Sequence, residues 1–168
     1  MTTATITETK NTGLEGKYLT FALGQEQYGI GILKVREIIG YVPITPMPRT
    51  PAYIKGVINL RGQVIPVLDL RLRFEMPAAE VTDQTCIIVV EVSLNNRMHH
   101  AGLIVDRVQE VLYVEGKDIE QTPQLGAVVR ADFILGIGKA DNGIKVLLDI
   151  DRVVQSDAVA ELTKNQPI

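Results

Sequence analysis

An internal repeat limits what this chain can fold into more than any other feature of its sequence. Residues 29–39, GIGILKVREII, match residues 102–112, GLIVDRVQEVL, at their glycine, basic, valine and glutamate positions. A second block follows in the same order, since 56–70 matches 136–150 with the same spacing from glycine to aspartate. Two blocks that recur in one order predict two units built on one plan. Strand-rich chains share similar runs of residues, so a chance match is the alternative.

Each copy of the repeat is typical of β structure. The second block reads as a β-hairpin, in which two apolar runs flank a polar turn that contains Gly62 or Gly143. Further strands are predicted at 17–23, 85–92 and 98–105. Hydrophobic residues make up 46% of the chain, mainly Val, Ile and Leu, but aromatic residues only 5%, and this balance favours strands. The expected fold is mainly β, with two small barrels packed together, short helices and a C-terminal helix.

Boundaries can be placed along the chain for a tail and for these units. Residues 1–16 are rich in Thr and are expected to form a flexible tail, without the apolar core of a signal peptide. The folded part is placed at 17–156, with two intertwined barrels at roughly 17–84 and 85–150. A terminal helix is predicted from Ile150 to Leu162, and 157–168 is assigned to the C-terminal helix and tail. The four prolines of 43–51 indicate a stiff connector, followed by a short helix from Thr50 to Gly56.

Charge and motifs exclude several functions. The chain has 17 basic and 20 acidic side chains, and its basic residues form no stripe that would follow a phosphate backbone, so nucleic acid is not an expected partner. Its apolar runs have the length of strands and are too short to span a membrane. His99 and His100 are neighbours on a predicted strand and point to opposite faces, so no metal site is expected. No dinucleotide or Walker motif is present, and no cofactor is expected.

Asp69 and Asp149 occupy equivalent positions in the repeat. This equivalence favours a structural role, such as capping the segment that follows each hairpin, over paired acid–base chemistry. The chain is therefore not expected to be an enzyme.

The longest motif in the chain resembles a known family. Residues 56–71, GVINLRGQVIPVLDLR, closely resemble the signature of CheW-type chemotaxis coupling proteins, and the likeness extends over 28–38, 46–51, 133–138 and 146–150. It implies two five-stranded barrels of the SH3 type. It also implies a non-catalytic adaptor that couples the cytoplasmic tips of methyl-accepting chemotaxis receptors to the regulatory domain of the histidine kinase CheA. Such a protein is cytoplasmic and clusters with receptor arrays at the inner face of the membrane, which it contacts only through the receptors.

The resemblance also implies candidate site residues. The receptor-facing surface comprises Ile32, Val35, Glu37, Ile38, Arg61, Val105 and Val108. The kinase-facing surface includes Glu120, Gln124 and Leu125, and the structural turn includes Gly56, Asn59 and Gly62. An apolar groove with a few charged residues suits a helical receptor tip, because the charges fix the register of the docked helix.

Other interpretations of these residues stay open. The aliphatic residues of the receptor set could belong to the core, and Arg61 could pair with Glu37 within the protein. An adaptor of a kinase pathway for surface motility is the nearest functional alternative. A barrel that binds a peptide or small ligand by itself, in the seam between the two units, is another.

Overall fold

Eleven strands form the framework of the described residues, which are 13–121, 131–141 and 143–164 of a computed structural model. The first five are β1 (Gly16–Leu23), β2 (Glu26–Gly31), β3 (Val35–Gly40), β4 (Ile54–Leu60) and β5 (Gln63–Asp69). The other six are β6 (Cys86–Leu94), β7 (Arg97–Val105), β8 (Arg107–Val114), β9 (Ile119–Glu120), β10 (Ile134–Ala140) and β11 (Gly143–Leu148). Three short α-helices accompany them: α1 (Leu70–Arg73), α2 (Ile150–Val154) and α3 (Asp157–Thr163). The expected mainly β fold is confirmed.

The strands form two sheets, and each sheet combines strands from both halves of the chain. Sheet I has the order β3-β6-β7-β5-β4, and sheet II has the order β8-β1-β2-β11-β10-β9. The hairpin β6–β7 of the second half thus completes the sheet of the first half, and β1–β2 completes the sheet of the second. The two subdomains are intertwined, and a division into 17–84 and 85–150 does not separate the sheets. Sheet II also has a sixth strand, the two-residue β9.

Equivalent strand pairings in the two halves confirm the predicted repeat. Gly102 of β7 pairs in parallel with Val67 of β5, and its repeat mate Gly29 of β2 pairs in parallel with Leu147 of β11. A Cβ at Gly102 would lie 2.8 Å from Ile87 Cγ2, so a side chain there would force the neighbouring strand to shift. The glycine of the first repeat block is therefore needed for the close approach of two strands.

The main core lies between the two sheets. Alternate residues of β1 and β6 point into it, including Leu19, Phe21, Ile88 and Val90, which are all at most 3% exposed. The core also takes residues from β5, β7, α2 and α3. Burying one such side chain contributes roughly 1.5–3 kcal/mol. Because both halves supply this core, neither barrel is expected to be stable without the other.

Asp69 and Asp149 cap α1 and α2, as predicted. The Asp69 side chain accepts a hydrogen bond from the Leu72 backbone N–H at 3.3 Å, and Asp149 accepts one from the Arg152 N–H at 3.4 Å. The prediction of one terminal helix from Ile150 to Leu162 is wrong. The chain leaves the helical conformation at Gln155, and a new helix begins after Ser156, whose hydroxyl accepts from the Val159 N–H.

The predicted short helix between Thr50 and Gly56 does not form. Instead, β4 begins at Ile54, and Val57 exchanges two backbone hydrogen bonds with Thr45, each 2.9 Å long. A Cβ at Gly56 would lie 1.9 Å from the Thr45 carbonyl oxygen, and Gly56 has a φ of +144°. Gly56 therefore lies within β4 and not in the turn to which it was assigned. Because it has no side chain, the Thr45 carbonyl of the proline-rich connector can pack directly against it.

Residues 13–16, which were assigned to the predicted tail, belong to the part of the chain that the structure describes. From Gly13 onward the chain packs on sheet II, where the Tyr18 hydroxyl donates to the Leu14 carbonyl at 2.5 Å. The Glu15 carboxylate accepts from the Gly116 N–H at 2.7 Å. Residues 1–12 and 165–168 lie outside the described residues.

Arg73 of α1 connects the two subdomains. Its guanidinium carbon lies 4.4 Å from the ring centre of Tyr53 and 4.9 Å from that of Phe133, two residues at equivalent positions of the repeat. Its Nε donates to the Val153 carbonyl at 2.7 Å, and its Nη2 to the Gln155 carbonyl at 3.0 Å. One cation thus joins the aromatic residue that precedes each copy of the second block to the end of α2.

An ion pair holds the hairpin β1–β2 in place. Arg71 donates to both oxygens of Asp106, at 2.9 and 2.6 Å, and the Gly24 N–H donates to Asp106 Oδ2 at 2.7 Å. The hydrogen bond from Arg71 lowers the pKa of Asp106 below its ordinary value of 3.8, and burial opposes this effect. The ionised carboxylate therefore stabilises the contact between α1 and the turn of β1–β2.

Replacing Arg73 by Met should lower the free energy of unfolding by about 2 kcal/mol, because two carbonyl acceptors lose a charged donor and two rings lose a cation. Arg152→Met is the matched control, since this side chain is 62% exposed and pairs with Asp149 at the surface. The control should cost at most about 1 kcal/mol in urea denaturation. Equal losses in the two variants would contradict the bridging role of Arg73.

The Asp106 contact should also give stability a dependence on pH. Because the folded state lowers the pKa of Asp106, the stabilisation is present above the ordinary value of 3.8 and is lost as the pH falls through the folded pKa. Asp106→Asn should lose about 2 kcal/mol at pH 7 and show a shallower acid decline in urea titrations between pH 2 and pH 7. The exposed Asp83→Asn should follow the wild-type curve, and an unchanged acid decline in Asp106→Asn would refute the assignment.

Candidate functional site

The turn between β4 and β5 presents Arg61 to solvent. Leu60 pairs directly with Gln63, so the loop contains only Arg61 and Gly62, whose φ angles of 51° and 88° are both positive. Positive φ at both central residues is what a type I′ turn requires. Asn59 Oδ1 accepts from the Gly62 N–H at 2.8 Å and stabilises the turn. The Arg61 side chain is 70% exposed.

Arg61 forms a two-pronged ion pair with Glu37 of β3. Its Nη1 donates to Glu37 Oε1 at 3.2 Å, and its Nη2 donates to Glu37 Oε2. The hydrogen bond from Arg61 lowers the pKa of Glu37, and the same bond raises the pKa of Arg61. The alternative in which Arg61 pairs within the protein is therefore present in the structure. The pair lies at the surface, however, and the guanidinium stays accessible to a partner.

A polar groove of about 400 Å³ runs beside this pair, and its walls include Arg36, Leu60, Gln63, Val89 and His100. His100 Nδ1 lies 3.0 Å from Gln63 Oε1. Arg36 Nη1 lies 3.6 Å from Glu91 Oε1. These cross-strand contacts surround Arg61 and Glu37 with further donors and acceptors on one face of sheet I.

The two histidines differ in burial and in the direction of their rings. His99 is buried, with 6% of its surface exposed, whereas His100 is half-buried and faces the polar groove, so the two rings point to opposite faces as predicted. Among the described residues, no three His, Cys, Asp or Glu side chains are grouped as metal ligands.

The aliphatic residues assigned to the receptor surface differ in exposure. Val105 is 1% exposed and lies in the core between the sheets, so its side chain cannot contact a partner and its assignment to the surface is wrong. Ile32, Val35 and Val108 are partly buried against the edge of that core. Ile38 is 44% exposed. The apolar part of the surface therefore consists of Ile38 and of the core edge, which is the partly buried set Ile32, Val35 and Val108.

An apolar cavity of about 460 Å³ adjoins this edge, and Ile32 belongs to both. Its walls include Leu14, Tyr18, Ile32, Leu33, Leu135 and Leu148. Leu33, on the 3₁₀ turn Ile32–Lys34 between β2 and β3, is 93% exposed. Leu33 could not be identified as a surface residue from the sequence, because an apolar run does not show which residue points outward. Its repeat mate Asp106 was the available signal, since a charged residue indicates an outward position.

The residues assigned to the kinase-facing surface are only partly described. Glu120 ends β9 and is exposed, and its Oε1 lies 2.5 Å from Lys139 Nζ on β10. Gln124 and Leu125 lie outside the described residues. None of the helices within the described ranges is long and apolar enough to cross a membrane.

Comparison with known proteins assigns the chain to a family. The model of the CheW-like domain matches residues 17–158. The chain is 34% identical over 157 residues to the chemotaxis protein CheW of Klebsiella aerogenes, with 94% of this chain and 92% of the relative covered. It is 38% identical over 139 residues to the chemotaxis protein CheW of Rhizobium meliloti, with 83% and 87% covered.

A solved structure agrees with these relatives. The scaffolding protein TtCheW from Thermoanaerobacter tengcongensis superposes with a TM-score of 0.76 at 35% sequence identity, covering 85% of this chain and 94% of the other. The intertwined barrels and the hairpin motif that carries Arg61 are thus found in a chain that belongs to the CheW-like family of chemotaxis adaptor proteins.

Proposed function

We propose that this protein couples the cytoplasmic tips of methyl-accepting chemotaxis receptors to the regulatory domain of the histidine kinase CheA, without catalysis of its own. The observation that carries the proposal is the exposed Arg61–Glu37 pair beside an apolar edge. The docking surface is defined as Ile32, Val35, Glu37, Ile38, Arg61 and Val108.

The chemistry of the docking surface suits a helix. A helical receptor tip offers an apolar stripe that can cover Ile38 and the core edge at Ile32 and Val108. Arg61 and Glu37 neutralise each other in the free protein, so neither charge is left unpaired before docking. On docking, Arg61 and Glu37 can each form a new ion pair with an opposite charge on the receptor helix. These ion pairs would set the register of the helix in addition to contributing to its binding affinity.

The acidic residues support a non-catalytic role. Asp69 and Asp149 cap helices, and Asp106 and Glu37 form ion pairs with arginines. Each of these four carboxylates therefore has a partner within the protein. A role in binding accounts for them without an acid–base step.

The kinase is proposed to bind at Glu120, at the end of sheet II that carries β9, and Gln124 and Leu125 stay assigned to the same contact by the family resemblance. Glu120 and Lys139 form an exposed ion pair there, so that this end of the sheet presents one negative and one positive side chain to a partner. Receptor and kinase would then occupy different parts of the molecule. The protein would be cytoplasmic and held at the inner face of the membrane only through the receptors.

Reversal of the charge at Arg61 should abolish receptor binding. Arg61→Glu places two carboxylates side by side and removes the guanidinium, so co-sedimentation with receptor-containing membranes should fall at least tenfold while the melting temperature changes by only a few degrees. Arg152→Glu, an exposed arginine on α2, is the control and should sediment like wild type. Equal binding by folded Arg61→Glu and wild type would refute the docking surface.

Coupling itself should be measurable with purified components. When receptor membranes and CheA are mixed, kinase activity should become dependent on the receptor only after this protein is added, and Arg61→Glu should fail to produce that dependence. The same assay is repeated with the receptors and kinase of a surface-motility pathway. The pathway in which this protein makes kinase activity depend on the receptor is the one that it serves. A protein that binds neither kinase but binds a peptide or small ligand alone would contradict both.

A further inference from the structure

A buried lysine distinguishes the hairpin β10–β11 from its counterpart in the other subdomain. Lys145 of β11 is 1% exposed, and its Nζ has no hydrogen-bond partner among the described residues. The next residue, Val146, packs against the main core, so Lys145 and Leu147 lie on the opposite face of sheet II. On that face Leu147 packs with Tyr18 and Val114 in a separate apolar cluster. The ammonium group is therefore withdrawn from water on the same face as this cluster.

The charge of Lys145 is not compensated by the side chains around it. Val146 pairs in parallel with Tyr28. Lys145 is therefore level with Gln27, whose Oε1 is also buried and has no hydrogen-bond partner within the described ranges. Glu110 attracts the ammonium group, but burial has the larger effect and lowers the pKa of Lys145 below its ordinary value of 10.5. Because a buried charge without a hydrogen bond is costly, Lys145 destabilises the closed hairpin.

The other subdomain has an aliphatic residue at the equivalent position. Gly56 and Gly136 are repeat mates, and the same distance along the chain leads from them to Ile65 and to Lys145. Ile65 is 0% exposed and packs with Val67 in an apolar cluster of sheet I. The hairpins β4–β5 and β10–β11 thus occupy corresponding places, but this buried position holds an apolar side chain in the first and a charge in the second.

The pairings that hold β10–β11 in sheet II are short. On one side β11 pairs with β2 at residues 146–147, and on the other side β10 pairs with the two-residue strand β9 at residues 137–138. The base of the hairpin has an additional restraint, because the Asp149 N–H donates to the Phe133 carbonyl at 2.8 Å and Asp149 caps α2. The hairpin is therefore least restrained toward its tip, the end that carries Lys145.

We propose that the hairpin β10–β11 opens from its tip as a separate unit, before the rest of the fold unfolds, and that the buried charge of Lys145 sets this opening equilibrium. On opening, the ammonium group regains water, so the cost of burying it is removed. Opening of β4–β5 brings no such gain, since Ile65 would lose its apolar contacts. Lys139 of β10 forms an ion pair with Glu120 of β9. A partner that binds at Glu120 would therefore hold the hairpin closed, and this consequence rests on the proposed function.

Hydrogen exchange of single amides in the full chain tests the opening. With each rate corrected for the intrinsic rate of its residue, the amides of β10–β11 should exchange at least about tenfold faster than the equivalent amides of β4–β5. Lys145→Met keeps an unbranched side chain and removes the charge, so it should slow exchange in β10–β11 by about tenfold and leave β4–β5 unchanged. Lys139→Met is the matched control, because it removes an exposed lysine from the same hairpin, and it should not slow exchange.

Three results of this experiment would overturn the proposal. The first is equal exchange in the two hairpins of the wild type. The second is equal slowing of both hairpins by Lys145→Met, because the charge would then act on the whole fold and not on one hairpin. The third is faster exchange of β10–β11 in Lys145→Met, because the lysine would then stabilise the closed hairpin by binding another group.

The kinase contact is tested separately by the same measurement. Saturation of the wild type with the regulatory domain of the kinase should slow exchange in β10–β11 several-fold, since binding at Glu120 would hold the hairpin closed. Fast exchange that the kinase domain leaves unchanged would contradict the contact at Glu120 and leave the opening of the hairpin supported. Binding of the kinase domain to a protein whose two hairpins exchange equally would remove this inference alone.

Discussion

The exchange of hairpins between the two halves is the constraint on which the rest of the structure depends. Sheet I needs β6 and β7 from the second half, and sheet II needs β1 and β2 from the first. The apolar faces of all four strands meet in one core between the sheets. Each small barrel is therefore completed by the other half of the chain, and the edge of the common core is where partly buried aliphatic residues reach the surface.

An ion pair strengthens this arrangement near the corresponding turn of each half. In one copy Asp106 at the β7–β8 turn binds Arg71 of α1, and in the other Lys34 at the β2–β3 turn binds Asp151 of α2. Each carboxylate also accepts a backbone N–H from the hairpin of β1–β2 or β6–β7, at Gly24 or Ser93. Arg71 and Asp151 are repeat mates, and so are Gly24 and Ser93, whereas Lys34 stands one residue beyond Leu33, the mate of Asp106.

The sequence could predict those parts of the fold that depend on local chemistry. Repeat blocks, hairpin turns and the caps at Asp69 and Asp149 follow from residue types at fixed spacings. Intertwined barrels were predicted, but not which hairpins are exchanged, because that depends on which distant strands pair and not on any local pattern. The missing helix before Gly56 has a similar cause, since strand pairing with Thr45 outweighed the capping pattern. The break at Gln155 was overlooked although Ser156 is a good N-cap.

The candidate site shows the same limit. The position of Arg61 at a hairpin tip could be predicted from the turn sequence, and its pairing with Glu37 could be named as an alternative. The exposure of single aliphatic residues could not be predicted from the sequence. Val105 and Leu33 both stand in apolar runs, yet Val105 is 1% exposed and Leu33 is 93% exposed. Their difference arises from the 3₁₀ turn and from packing between the sheets.

The claim that Arg61 and Glu37 centre a receptor-docking surface is tested most directly by amide shift mapping. A soluble fragment of a receptor's helical tip would be titrated into the ¹⁵N-labelled full chain. The account predicts that the largest shift changes cluster in 32–38, 59–63 and at Val108. Changes centred on β9 and β10, with none around Arg61, would contradict it.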